Sequence, residues 1–84
     1  MNKEAIFKRL VDHLGKILPE VNTNEITYES MLSPLGASSI DRAELIESML
    51  EDLKLNIDRF YFHAANNLGE LAELLFLKFN QKHT

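Results

Sequence analysis

Leu35-Gly36-Ala37-Ser38-Ser39-Ile40-Asp41-Arg42-Ala43-Glu44-Leu45 is the stretch whose reading decides the fold. A glycine turn ends a polar segment, two hydroxyls follow, and an amphipathic helix begins with carboxylates in its first turn. Ser38 has the chemistry of an N-cap, and Asp41 three residues on gives a weak form of the capping box. The helix is expected to run from Ser39 to Leu53, with Leu45, Ile46, Met49 and Leu53 facing the core. Ser39 stands in its first turn. The first amides of a helix lack intrahelical partners, and the helix dipole favours negative charge there. A serine at that place is suited to carry a phosphate. Double serines before helices are also common as plain caps.

Working outward, Ile6, Leu10, Leu14 and Ile17 recur at helical spacing, widened by Phe7, Val11 and Leu18. They predict a helix from Lys3 to Leu18, stopped by Pro19 because the residue before a proline disfavours helical angles. A long loop follows from Pro19 to Gly36, in which Ile26, Tyr28, Met31, Leu32 and Leu35 are expected to pin the chain to the core. Nothing in the sequence offers a strand through Ile26 a partner. A short third helix or turn is expected around Asp58 to Ala64. The last helix starts near Leu68, with Asn67 as cap and Glu70 completing a box. Its inward face is Leu68, Leu71, Leu75 and Phe79. The expected fold is all-α: a four-helix bundle with a long first loop and a short third helix.

The 84 residues make one domain, 1–84, held by a single modest core. There is no cysteine, so any thiol chemistry needs a thiol from outside the chain. Nine basic and thirteen acidic residues give a formal charge of −4, which argues against nucleic acid and leaves room for a basic protein partner. Leu74-Leu75-Phe76-Leu77 is the longest apolar run and is far too short to span a bilayer. The N-terminus has no signal-peptide pattern. The chain therefore reads as a free-standing cytoplasmic monomer.

Other chemistry finds little support. His13, His63 and His83 lie on separate segments without metal-ligand spacing. A Ser39-His63-Asp58 hydrolase can be drawn, but there is no Gly-x-Ser-x-Gly elbow and little room for a substrate pocket. The three glycines are isolated, so there is no phosphate-cradling loop. The second helix carries Asp41, Glu44, Glu47, Glu51 and Asp52 against a single Arg42. That set is either an ordinary solvated face or a docking surface for basic partners. Leu50 falls off the expected core stripe and hints at a partly apolar docking face.

The run from Leu35 to Leu45 resembles the attachment motif of acyl carrier proteins, usually written Leu-Gly-x-Asp-Ser-Leu-Asp. The likeness extends from Ile6 to Leu75 in helix layout, length and acidity. It implies a carrier that acts as a substrate of other enzymes and is not itself an enzyme. It places 4′-phosphopantetheine, taken from coenzyme A, on Ser39, which makes the chain a phosphoprotein holding acyl groups as thioesters. Ser38 stands where the family usually has aspartate, which leaves the choice of phosphopantetheinyl transferase open. The implied docking residues are Ile40, Asp41, Arg42, Ala43, Glu44, Glu47, Leu50 and Glu51.

Ser39 to Glu44, Met49 to Leu55 and Asn66 to Ala72 are similar to a narrower group: free-standing donor carriers of bacterial polyketide β-branching. That likeness implies malonyl and then acetyl cargo. It implies an acyltransferase, a decarboxylase and an HMG-CoA-synthase-like enzyme as partners. A carrier for a fatty-acid or aminoacyl pathway, or a degenerate carrier that only binds partners, is the alternative.

Overall fold

The computed structural model describes residues 1–82. Three α-helices, α1 (Lys3–Ile17), α2 (Ser39–Asp52) and α3 (Leu68–Lys82), are joined by a long first loop and by a short 3₁₀ helix at Arg59–Ala64. No strand occurs among the described residues. The all-α layout matches the sequence expectation, with the short third element wound as 3₁₀.

α1 begins at Asn2, whose Oδ1 accepts the Ala5 N–H at 2.8 Å. Ile6, Leu10 and Leu14 then repeat on one face and are buried against α2 and α3. Burying each such side chain contributes about 1.5–3 kcal/mol. The helix ends where the Leu18 N–H reaches the Leu14 carbonyl, just before Pro19.

The first loop has a partner that periodicity could not reveal. Its Ser30 and Tyr28 carbonyls accept the Leu68 and Gly69 N–H groups at 2.9 and 2.8 Å. Those amides lie in the first turn of α3 and would otherwise be unpaired. The approach is so close that a Cβ on Gly69 would lie 2.8 Å from the Tyr28 carbonyl oxygen. Two 3₁₀ turns, Thr23–Glu25 and Ser33–Leu35, take up the rest of the loop. Leu32 is buried, Ile26 and Leu35 are half-buried, and Tyr28 packs its ring 4.4 Å from Phe7. Met31, expected as a pin, is 50% exposed. Its neighbours are both tied inward, Ser30 through its carbonyl and Leu32 through its side chain, so residue 31 faces out.

At α3, the Asn67 side chain accepts the Glu70 N–H at 2.8 Å, as expected. The return bond differs: the Glu70 carboxylate accepts the Asn66 N–H at 3.0 Å, so the box spans both asparagines. Leu68, Leu71, Ala72 and Leu75 are buried, and Phe79 is half-buried against the same core.

α2 closes in a Schellman motif. The Leu55 N–H reaches the Leu50 carbonyl at 2.8 Å and the Lys54 N–H the Glu51 carbonyl at 3.2 Å. Lys54 takes the left-handed position, φ 55°. This corrects the reading of Leu50. It is only 5% exposed, because the motif folds the likewise buried Leu55 back toward it, the apolar contact that accompanies such caps.

Candidate functional site

The two serines at the start of α2 have different fates. Ser38 is the N-cap: its hydroxyl accepts the Asp41 N–H at 3.2 Å, and the Asp41 carboxylate accepts the Ser38 N–H at 2.9 Å. The capping box expected from sequence is therefore closed in both directions. Ser39, the first residue of α2, is exposed, and its hydroxyl has no hydrogen-bond partner among the described residues. Gly36 sets up the pair from behind. Its φ of 94° ends the Ser33–Leu35 turn in the left-handed region, which only glycine enters freely.

Two clefts open beside Ser39. One, of about 270 Å³, runs toward the first loop and is walled by Met31, Leu32, Ser33 and Asn66. The other, of about 140 Å³, lies between α2 and the 3₁₀ helix. Ala43 and Ile46 form one of its walls, and Arg59, Phe60 and His63 the other. Arg42 lines both clefts. Its Nη2 donates to the Ala65 carbonyl at 2.8 Å and the Phe62 carbonyl at 3.3 Å, tying α2 to the following segment. Phe62 is fully buried, whereas Phe60 is 62% exposed and stacks on the His63 ring at 5.1 Å.

The expected docking residues divide by surroundings. Ile40 is 76% exposed beside Ser39, and Glu44, Glu47 and Glu51 are exposed along α2. These three glutamates line a groove of about 430 Å³ with Leu50, Leu55 and Ile57. Ala43 is half-buried. Asp41 and Arg42 are half-buried and already committed, one to the cap and one to carbonyls. Leu50 reaches the groove only as part of its floor, since it belongs to the core.

Asp52, counted with the acidic face in sequence, turns away to α1. It accepts hydrogen bonds from Arg9 at 2.8 Å and from His13 Nε2 at 2.9 Å. The His13 hydrogen bond, helped by Arg9, holds its carboxyl below the ordinary value of 3.8, against the opposing effect of burial. His13 thus has a structural partner, and His83 lies outside the described residues. Among the described residues no group of three metal-ligating side chains comes together. The hydrolase arrangement also fails to form: Asp58 Oδ1 accepts the Phe60 N–H at 3.0 Å, capping the 3₁₀ helix rather than orienting His63. No helix among the described residues is long and apolar enough to cross a membrane.

No protein-family model matches the chain. Individual proteins do. The polyketide biosynthesis acyl-carrier-protein AcpK of Bacillus subtilis (strain 168) is 44% identical over 78 residues, 93% of this chain and 95% of that protein. Among solved structures, a chain in the crystal structure of the curacin biosynthetic pathway HMG synthase in complex with acetyl donor-ACP matches with a TM-score of 0.88. It is 38% identical, and the match covers 93% of this chain and all of that one. Identity at this level over nearly the full length of both proteins reaches past shared architecture. The chain belongs to the acyl carrier proteins of polyketide biosynthesis, carriers on which other enzymes act rather than catalysts.

Proposed function

We propose that Ser39 is the point at which 4′-phosphopantetheine is attached, and that the arm's terminal thiol then holds acyl groups as thioesters. The observation that carries this reading is the contrast between the serines: Ser38 spends its hydroxyl on the cap, and Ser39 is exposed with no partner for its hydroxyl among the described residues. The residues present fit the group. A phosphopantetheinyl transferase needs an accessible hydroxyl, and the open space beside Ser39 leaves room for the arm. The hydroxyl oxygen would form the new bond to the phosphorus that carries the arm as the diphosphate P–O bond of coenzyme A breaks, adenosine 3′,5′-bisphosphate leaving and the hydroxyl proton passing to a base of the transferase. The α2 dipole and its first amides favour the resulting phosphodiester anion.

The chain would act as a donor carrier, accepting malonyl from an acyltransferase and passing acetyl, after decarboxylation, to an HMG-CoA-synthase-like enzyme. The likeness to the chain seen with an HMG synthase and acetyl donor-ACP supports this reading. So does the acidic groove of α2, which suits a basic partner surface.

Peptide mass spectrometry after enzymatic modification tests the attachment. The arm should be found on Ser39, be absent from Ser39→Ala, and persist in Ser38→Ala. Full modification of Ser39→Ala would overturn the assignment. The donor role is tested by acetyl transfer to the synthase. An acetylated fatty-acid carrier that reacts as fast as this one would leave only the general carrier role.

A further inference from the structure

Resting on attachment at Ser39, we infer that Met31 is an apolar contact for the phosphopantetheinyl transferase, and that Tyr28 and Gly69 are the residues that position it. Two large apolar side chains stand in solvent around the serine. Ile40 is 76% exposed on α2 next to Ser39, and Met31 is 50% exposed on the first loop. Met31 and Ser39 line the same cleft of about 270 Å³. An enzyme that brings a phosphate to the Ser39 hydroxyl has to cover the surface around it, and Met31 is part of that surface. Ile40 is placed by the helix that carries the serine. Met31 lies between turns, outside any helix, so something else must hold it.

That hold comes from α3. Its Leu68 and Gly69 N–H groups reach the Ser30 and Tyr28 carbonyls at 2.9 and 2.8 Å. The clasped turn is also closed on itself. The Ser30 hydroxyl accepts the Thr27 N–H at 2.9 Å, and the Thr27 carbonyl accepts the Ser30 N–H at 3.1 Å. The Tyr28 ring lies against Phe7 of α1. The Lys3 ammonium stands 5.1 Å from the centre of that ring and 3.4 Å from the Glu73 carboxylate of α3. Past Met31, Leu32 is buried, and its carbonyl accepts the Leu35 and Ala37 N–H groups at 3.0 and 3.1 Å. The register is thereby carried from the first turn of α3 through Met31 to Ser38.

The clasp admits no side chain at residue 69. A Cβ there would lie 2.8 Å from both the Cβ and the carbonyl oxygen of Tyr28. Either the hydrogen bond breaks or the segment shifts, and Met31 moves with it. A thioether is flexible and polarisable, which suits it to an apolar contact on an enzyme surface. Such a contact carries no charge, so salt separates it from the glutamates of α2.

The test is steady-state kinetics of arm transfer to the full chain, read by intact mass, with amide hydrogen exchange on the same proteins. Gly69→Ala should raise KM for the carrier several-fold with kcat nearly unchanged, the pattern of lost binding. Its Leu68 amide should exchange faster than in the parent. Met31→Ala leaves the clasp intact, and should raise KM to a similar degree with Leu68 exchange unaltered. Should Gly69→Ala not fold, Met31→Ala decides alone. The double variant should be no worse than the worse single one, because both changes remove the same contact. Ile6→Val loosens the buried core and should keep the parent KM. The inference falls if Met31→Ala is modified with the parent KM, or if the two single effects multiply in the double variant. It falls equally if Ile6→Val raises KM as much as Gly69→Ala. A parent chain whose Ser39 takes no arm at any carrier concentration is a distinct result and overturns the attachment reading itself.

Discussion

At its C-terminal end α2 is closed from several directions. Asp52 is gripped by Arg9 and His13 of α1, Leu53 and Leu55 are buried, and the Schellman motif consumes the last carbonyls. At its N-terminal end, among the described residues, the polar ties of the same helix are its own capping box and the Arg42 bonds, and it leaves Ser39 and Ile40 in solvent. The difference assigns two kinds of charge on one helix. The carboxylate at the closed end, Asp52, is bound into the fold, and Glu44, Glu47 and Glu51 on the open face stand exposed. Charge counted along a sequence does not separate these. Position relative to α1 does.

The strongest perturbation of the closed end short of the core is Asp52→Asn, which removes the negative charge and one of the two oxygens that Arg9 and His13 engage. A loss of about 1–2 kcal/mol is expected in urea unfolding, the range for a charge-assisted hydrogen bond. Its pH signature is specific. The folded-state value of Asp52 is depressed, so its stabilising effect is complete above the unfolded value and is lost as pH falls through the folded one, below 3.8. Acid unfolding of Asp52→Asn should therefore lack that component, and the gap between the two proteins should close at low pH. A gap that stays constant would show that the pairing contributes nothing through protonation.

Ser38→Ala opens the other end. Removing the cap costs about 1 kcal/mol, read from the same denaturation curves, while modification of Ser39 proceeds. If it also blocked modification, the two serines could not be divided as above. Lys54→Gly works in the opposite direction. A left-handed lysine is strained, and glycine removes that strain while adding freedom to the unfolded chain, for a net gain of roughly 0.5–1 kcal/mol. The smallest effect is expected on the open face. Glu44→Lys or Glu47→Lys should leave stability nearly unchanged and slow association with the synthase about several-fold at low salt, with the effect fading as salt rises. Glu4→Lys on α1 should do neither. Equal slowing by all three would mean that net charge, not a localised face, steers the encounter.

Much of this was legible because it is local. Ile6, Leu10 and Leu14 repeat at helical spacing, Pro19 ends the helix, and Ser38 and Asp41 stand the right distance apart for a box. Ser39 stands out in the sequence by its register against Leu35 and Gly36, and the residue is exposed. What escaped depends on contacts between distant segments. Leu50 was misplaced because the residue that turns the chain after α2 is Lys54, without the glycine that usually announces such a cap. Asp52 is claimed by residues about 40 positions away, 39 and 43 apart in sequence. The first loop's partner is a pair of helix amides, which have no side-chain signature. Gly69 was the available hint, as a glycine in a first turn where a close backbone neighbour is the physical reason for one.

The Arg42 tie has a consequence for transplanting this protein's segments. Its acceptors are the Phe62 and Ala65 carbonyls, which belong to the main chain and survive any replacement of those side chains. A recipient carrier that keeps the same backbone path after its second helix would offer Arg42 an equivalent landing place, whatever its residues there. The first turns of α2 are in this respect a portable part, with a fastening that does not have to be carried across. Asp52 is not portable in the same way. Its fastening needs an arginine and a histidine one turn apart on another helix, so a chimera cut after Glu51 should fold more readily than one cut after Leu53.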